Sequence, residues 1–452
     1  RLTRYRPRTV KTISTRVNAA AQESPFRLEL LTPGVLDSLT LRAMARRRPG
    51  AGQVEIQVRA AGLNFKDVML ALGILPGPLD DAVPLGFECA GVVAALGEGV
   101  EGFEIGDEVI ASSSDCFATH VMADAHLVQR KPVGLSFTEA AMIPVAFGTA
   151  YYALYSLARL AEGERVLIHT ASGGLGLAAV QLAQLAGAEI FATAGTPEKR
   201  AFLKSLGIRY VMDSRSLDFA AQIMDITDGQ GVDVVLNTLA GEAVDKGLAI
   251  LRTGGRFLEL GKTDIYQGGS LRLQPFDKNL SFFAIDASLL ARERPDFLRS
   301  VMEKVGQYFE DGLLKPLPMR VFPIADVASA FRRLAEAKHI GKLVVSFEGE
   351  EKVSVAPSAE FRPDGAYLIV GGLGGLGLMT AQWMVQRGAR HLVLMGRSGA
   401  SPKSEGALQA MRQAGAEVVV ARADVTKEQQ VANVIAEISQ SMPPLRGIIH
   451  SA

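Results

Sequence analysis

Cysteine is nearly absent: among 452 residues only Cys89 and Cys116 carry a thiol. Two are too few for a disulfide framework or a four-cysteine zinc lobe, and a reducing, cytoplasmic setting fits that scarcity. Net charge is missing as well. Lys+Arg and Asp+Glu both number 48, so no global field favours nucleic acid or an anionic membrane. No apolar run stands out as long enough to span a bilayer, and no signal peptide is recognisable. Acid is lacking before Glu23, while Arg1, Arg4, Arg6, Arg8, Lys11 and Arg16 crowd the same stretch. Because the chain opens on Arg rather than Met, residues 1–23 are expected to be a linker from a preceding domain rather than a transit peptide or a basic arm.

Glycine and apolar side chains are plentiful. Glycine numbers 46, the hydrophobic fraction is 48% and charged residues make up 21%, the balance of a globular protein with many tight turns. The length exceeds the usual size of one hydrophobic core, so two or three domains are expected. From Phe26 to Pro144 short β-type runs alternate with Gly and Pro, as in Val54–Val58, Cys89–Val93 and Asp107–Ile110. This spacing predicts a small barrel-like β domain. At Arg165 the rhythm changes. Strands at Val166–His169, Ile190–Thr193, Asp233–Asn237 and Arg256–Leu260 alternate with helical stretches such as Leu177–Leu185 and Lys199–Leu206. That alternation predicts a doubly wound parallel sheet. The charged, Pro-containing stretch 348–364 reads as a linker. After it the α/β rhythm restarts, with a strand at Ala366–Val370 and a helix at Leu376–Gln386. Gly173–Leu177 recurs as Gly374–Leu378, and both following helices end in Gly-Ala, at Gly187-Ala188 and Gly388-Ala389. The interval is too long for a solenoid repeat, so two nucleotide-binding domains are expected.

The turn Thr170-Ala171-Ser172-Gly173-Gly174-Leu175-Gly176 lies between strand and helix. Small residues there let the backbone approach a pyrophosphate, whose charge rests on the helix N-terminus. An NAD site usually ends its second strand on Asp or Glu, to bond the ribose 2′-hydroxyl. Here the segment is Thr193-Ala194-Gly195-Thr196-Pro197-Glu198-Lys199-Arg200. Thr193 and Gly195, followed by the cations Lys199 and Arg200, suit a 2′-phosphate and hence NADPH; the competing reading is that the cations decorate an exposed helix start. A catalytic zinc needs three converging Cys, His or carboxylate ligands. The turn Gly86-Phe87-Glu88-Cys89 offers Phe87 where zinc alcohol dehydrogenases carry His, and the two cysteines and six histidines show no ligand spacing elsewhere. No metal is expected, and the cysteines read as packing residues.

The segments Ala61–Val68, Pro84–Glu88 with Ala90-Gly91, His169–Gln181, Val235–Leu239 and Arg256–Lys262 resemble the zinc-independent, quinone oxidoreductase-like branch of the medium-chain dehydrogenase/reductases. Within that branch they are similar to the enoylreductase domains of polyketide synthases and animal-type fatty acid synthases. The resemblance implies an α/β chain: a GroES-like β domain from 24–145 and 285–347, with a Rossmann NADPH-binding domain, 146–284, inserted. It implies reduction of an α,β-unsaturated thioester by hydride transfer to the β-carbon and protonation of the α-carbon. The family's Lys and Asp correspond to Lys262, as proton donor or enolate polariser, and Asp286, which orients it. The cofactor set carried over comprises Asn64, Thr149, Ser172, Gly173, Gly174, Leu175, Gly176, Thr193, Gly195, Lys199, Arg200, Asn237, Leu260, Gly261 and Lys342. Some members carry Tyr in the Leu-Gly-x-x-Pro turn as an α-proton donor. This chain reads Leu72-Gly73-Ile74-Leu75-Pro76, and Leu75 has no proton to give.

Residues 365–452 resemble the start of a short-chain-dehydrogenase-type ketoreductase, a second, partial Rossmann-like domain. Gly371, Gly374, Gly375, Leu376 and Gly377 form its glycine turn, Arg397 and Ser398 correspond to its 2′-phosphate site, and Asp424 to its adenine edge. The family's catalytic Ser, Tyr and Lys would follow Ala452, so no ketoreduction is assigned to these residues. The expected partners are an acyl carrier protein bearing a phosphopantetheine-linked enoyl chain and other domains of the same synthase, with a homodimer left open and neither nucleic acid nor membrane. An NADPH-dependent quinone or enone reductase and a non-catalytic scaffold are the competing readings.

Overall fold

The computed structural model describes residues 15–18, 25–75, 83–349, 352–357 and 361–451. Arg1, Arg4, Arg6, Arg8, Lys11, Pro76, Glu350, Glu351 and Ala452 lie outside the described residues. The chain divides into two compact units, Arg1–Pro357 and Ser358–Ala452.

In the first unit, six parallel strands run in the order Tyr210–Asp213, Glu189–Ala194, Arg165–Ile168, Val232–Asn237, Leu251–Glu259 and Ser281–Ala284. The order reverses beside Arg165–Ile168, and in such sheets ligands bind beyond the carboxyl ends of the strands at that reversal. Parallel strands are covered on both faces and therefore read as unbroken apolar runs. Val166, Leu167, Ile168, Val234, Val235 and Leu236 are accordingly all fully buried.

A second, mainly antiparallel sheet takes the order Met319–Pro323, Lys342–Ser346, Gln53–Leu63, Glu88–Leu96, Glu108–Ser112 and Val128–Arg130, with His120–Asp124 also paired to Gln53–Leu63. Leu63 stands opposite Leu343, so stretches far apart in sequence share one GroES-like sheet. One apolar core joins the two sheets: Ala60, Ala90 and Val344 pack in the same cluster as Phe147, Ile168 and Leu177.

Three expectations are corrected. The stretch 348–364 is not linker throughout, because Lys352–Ala356 is a strand pairing with Leu39–Ala43. Thr15–Asn18, inside the expected linker 1–23, pairs antiparallel with it. Charge suggested a linker at 348–364, yet a strand in a sheet covered on one side needs only one apolar face, and Val353 and Val355 supply it. Finally, the helical stretch Phe137–Leu157 is by length and composition apolar enough to cross a membrane, with 67% of its most apolar window buried within the fold. Ile143, Phe147, Ala150 and Leu154 belong to the core that joins the two sheets.

In the second unit four parallel strands run in the order Glu417–Arg422, His391–Gly396, Ala366–Val370 and Leu445–His450, the half-sheet of a second Rossmann-like fold.

Candidate active site

A cleft of about 1090 Å³ lies between the two sheets of the first unit. At its centre Gly173 caps the helix Gly174–Leu185 in extended conformation without a side-chain bond to the first turn. The first N–H groups of this helix therefore face the cleft with no intrahelical partner, the ordinary reception for a phosphate. Ser172, Gly173, Gly174, Leu175 and Gly176 all line the cleft. Gly341 steadies the loop from the other sheet, donating its N–H to Ser172 O at 2.8 Å.

One end of the cleft is cationic. Gly195, Thr196, Lys199, Ser214, Arg215 and His339 form it. Burial, then Arg215 and Arg333, lower the Lys199 pKa. Burial, with Lys199, Arg333 and Lys342, pushes His339 down to about 4. The His339 Nδ1 and Arg333 Nε atoms are buried without a hydrogen-bond partner. Three residues expected here do not reach the cleft. Arg200 is turned away, pairing with Asp213 at 3.0 Å and with Ala194 O at 3.0 Å. Thr193 is fully buried and braces the loop from behind, its Oγ1 3.0 Å from His169 Nδ1 and accepting from Thr170 N at 3.3 Å. Asn237 is fully buried and donates to Glu259 Oε2 at 2.7 Å and Leu239 O at 2.7 Å. Burial pushes the Glu259 carboxyl up to about 7 against the bonds it accepts from Asn237 and the Gly261 N–H.

The floor is a buried polar network. Lys342 Nζ sits 2.6 Å from Glu88 Oε1 and 2.5 Å from Asn64 Oδ1. Asn64 Nδ2 donates to the same Glu88 oxygen at 2.9 Å, and Val145 N–H to Oε2 at 2.8 Å. Asn64, Lys342 and Thr149 all line the cleft. Beneath them Asp67 accepts from Gly86 N at 2.6 Å and Asn64 N at 2.8 Å, which fixes the start of the helix Phe65–Ala71. Burial lifts the Asp67 carboxyl from 3.8 to about 7. Asp67→Ala leaves two N–H groups without their acceptor and is expected to cost about 2–4 kcal/mol in urea unfolding. The unfolded carboxyl loses its proton near 3.8 while the folded one keeps it up to about 7. The stability Asp67 contributes is therefore greatest in acid and falls as pH rises through that window. The gap between wild type and Asp67→Ala should be wider at about pH 5 than at about pH 8.

At the opposite end Lys262 Nζ donates to Ile285 O at 2.7 Å and pairs with Asp286 Oδ2 at 3.2 Å. Asp286 caps the helix Ala287–Glu293, its Oδ1 accepting from Ser288 N at 3.0 Å and Leu289 N at 3.1 Å. Burial opposes ionisation of Asp286, but the Leu289 N–H, Lys262 and Lys66 outweigh it and hold the carboxyl below its usual range. Leu260, Gly261 and the buried Leu75 complete this wall. Lys66, Ser288, Ser214, Arg215 and His339 were not singled out from the sequence. They reach the cleft from elements whose neighbourhood only the fold reveals.

Zinc does not fit. Phe87 offers no donor atom at the turn and the Glu88 carboxylate is taken by Lys342. Among the described residues no group of three or more His, Cys, Asp or Glu side chains could hold a metal ion.

In the second unit Gly371 has φ +76° and Gly374 caps the helix Gly375–Gln386. Gly375, Leu376 and Gly377 open that helix, and Leu376 is exposed. Arg397 and Ser398 follow the strand His391–Gly396 and are exposed. Asp424 accepts from Thr426 N at 3.0 Å and Thr426 Oγ1 at 2.8 Å.

Fold and cleft together define a medium-chain dehydrogenase/reductase. Family models described as an alcohol dehydrogenase GroES-like domain and a zinc-binding dehydrogenase match residues 50–147 and 206–345, and a KR domain matches 365–452. The chain belongs to the enoyl reductases of polyketide synthases, continued by a ketoreductase domain. It is 44% identical to the CurK enoyl reductase, with a TM-score of 0.66 over 72% of this chain and 99% of that one. The JamJ enoyl reductase is 38% identical, with a TM-score of 0.68 over the same shares. A phenolphthiocerol/phthiocerol polyketide synthase of Mycobacterium tuberculosis is 43% identical over 440 residues, 96% of this chain and 20% of that protein. The chain thus spans about a fifth of the length of the curated relatives it matches. The Escherichia coli quinone oxidoreductase complexed with NADPH, 23% identical with a TM-score of 0.64 over 71% of this chain and 99% of that one, shares the fold.

Proposed function

We propose that the first unit reduces an enoyl thioester with NADPH, the acyl chain arriving on the phosphopantetheine arm of an acyl carrier protein within a cytoplasmic multidomain synthase. The observation that carries this reading is the Lys262–Asp286 pair, set in the cleft that also holds the open N-terminus of the helix Gly174–Leu185. Ser172, Gly173, Gly174, Leu175 and Gly176 would hold the pyrophosphate, and Lys199, Arg215 and Ser214 the 2′-phosphate. Asn64, Thr149, Leu260, Gly261 and Lys342 would border the rest of the dinucleotide. NADPH, when bound, supplies hydride to the β-carbon of the substrate.

The protein's own part is to hold the thioester and to deliver a proton. An ammonium has three donors; Ile285 O and Asp286 take two of Lys262's. The third is left for the α-carbon or the enolate oxygen. Asp286, fixed by two backbone N–H groups, keeps that ammonium in place. Leu75 brings only hydrocarbon to the site, which leaves the proton to a lysine. In the second unit, Gly371, Gly374, Gly375, Leu376, Gly377, Arg397, Ser398 and Asp424 would serve a second dinucleotide.

NADPH oxidation with crotonyl-pantetheine tests the reading. Lys262→Ala is expected to lose at least about tenfold in turnover, or about 1.4 kcal/mol of transition-state stabilisation, with NADPH binding unchanged. A wild type inert toward the thioester but active on a quinone would replace this reading with quinone reduction.

A further inference from the structure

Lys66 enters the same cleft from the first turn of the helix Phe65–Ala71. Its Nζ donates to Ser288 Oγ at 2.6 Å and lies 4.6 Å from the centroid of the Phe87 ring. Among the described residues no carboxylate forms an ion pair with it, whereas Lys262 has Asp286 at 3.2 Å. This end of the cleft therefore holds two ammonium groups against one carboxylate. Asp67, the remaining acid whose charge Lys66 feels, is turned to the Gly86 and Asn64 N–H groups.

Donor geometry separates the two lysines. Lys262 is bound to a carbonyl and a carboxylate. Lys66 gives one N–H to a hydroxyl and keeps two. Because Ser288 Oγ accepts from Lys66, its own O–H is free to donate, so two adjacent donors face the cleft with an excess positive charge behind them. Such a pair suits an oxygen that gains negative charge during reaction, since preorganised donors act most strongly where charge develops.

We propose that Lys66 and Ser288 bind the thioester oxygen as it becomes an enolate oxygen, while Lys262 protonates the α-carbon. The assignment rests on the enoyl-thioester reading. The β-carbon gains a C–H bond with the hydride pair from the reduced nicotinamide, which is thereby oxidised. The C=C π electrons shift to form Cα=C, and the carbonyl π pair moves onto oxygen beside Lys66. The carbonyl then re-forms as the α-carbon takes a proton from the Lys262 ammonium, and water restores that proton. Lys66 keeps its own proton throughout.

The test uses the full chain with NADPH and crotonyl-pantetheine. Lys66→Met is expected to lower kcat about 100-fold, the scale of losing one oxyanion donor, while the NADPH dissociation constant stays within about twofold. Lys66→Arg, which keeps the charge, is expected to recover at least about tenfold of that loss, and Ser288→Ala to cost about three- to tenfold in kcat. If Lys66→Arg is as slow as Lys66→Met, or if Lys66→Met turns over within about threefold of wild type, the assignment of Lys66 is overturned while the enoylreductase reading stands. A wild type that reduces a quinone but leaves the thioester untouched removes that reading and this proposal together.

Discussion

Replacing Lys342 by Met is expected to remove about 3–5 kcal/mol of folding stability, one of the largest losses any single change in this protein should produce. The Lys342 side chain is 6% exposed and that of its partner Glu88 is fully buried. Met keeps most of the aliphatic stem, so what disappears is the charge. Glu88 would keep the Asn64 amide and the Val145 N–H, neither of which neutralises a buried carboxylate. Urea unfolding measures the loss. Changing Glu88 to Gln in the same chain is expected to restore at least about half of it, because a buried ion pair replaced on both sides leaves no stranded charge. A double variant no more stable than Lys342→Met would mean that packing of the lysine stem, and not its charge, holds the floor of the cleft.

Gly176→Ala carries the largest expected effect on ligand binding. A Cβ at Gly176 would lie 2.5 Å from Ala171 Cα and 2.7 Å from Thr170 O. Both are backbone atoms of the turn that precedes the helix, so no side-chain rotation relieves the clash. The helix start must retreat from the turn, carrying away the N–H groups that would face the pyrophosphate. NADPH affinity measured by fluorescence titration is expected to fall about 100-fold, or about 2.7 kcal/mol. Gly406→Ala is the control, since it lies inside the helix Pro402–Gln413, a Cβ there meets nothing within 4 Å and Ala favours a helix. Unchanged NADPH affinity in Gly176→Ala would show that the turn yields without losing its grip.

Much of the fold was legible because parallel strands announce themselves. Val166–Ile168 and Val234–Leu236 are unbroken apolar runs, and each lies where such runs are buried on both faces. The phosphate turn was legible for a related reason: strand, small residues and helix follow one another directly in the chain. Placing Lys262 beside Asp286 came from family likeness, and composition alone would have left both as surface charges. Arg200 shows what sequence proximity cannot decide. It follows Lys199 directly, but successive helix residues point about 100° apart, and Arg200 meets Asp213 instead. The cation that joins Lys199 at the cleft, Arg215, comes from the turn after the next strand. Lys66 and Ser288 are separated by most of the first unit, and no local pattern joins them. The strand Lys352–Ala356 is legible in the alternation of Val353 and Val355 with Lys352 and Ser354, a period that the surrounding charge masks.

That strand has a consequence for how the first unit could be handled in engineering. Thr15 stands opposite Val355 and Asn18 opposite Lys352, and paired strands lie about 4.8 Å apart. The strands Thr15–Asn18 and Lys352–Ala356 therefore stand side by side although some three hundred residues separate them in the chain. A unit mounted in this way can be lifted out or grafted in by two neighbouring cuts, with the flanking chain displaced by little more than the width of one strand.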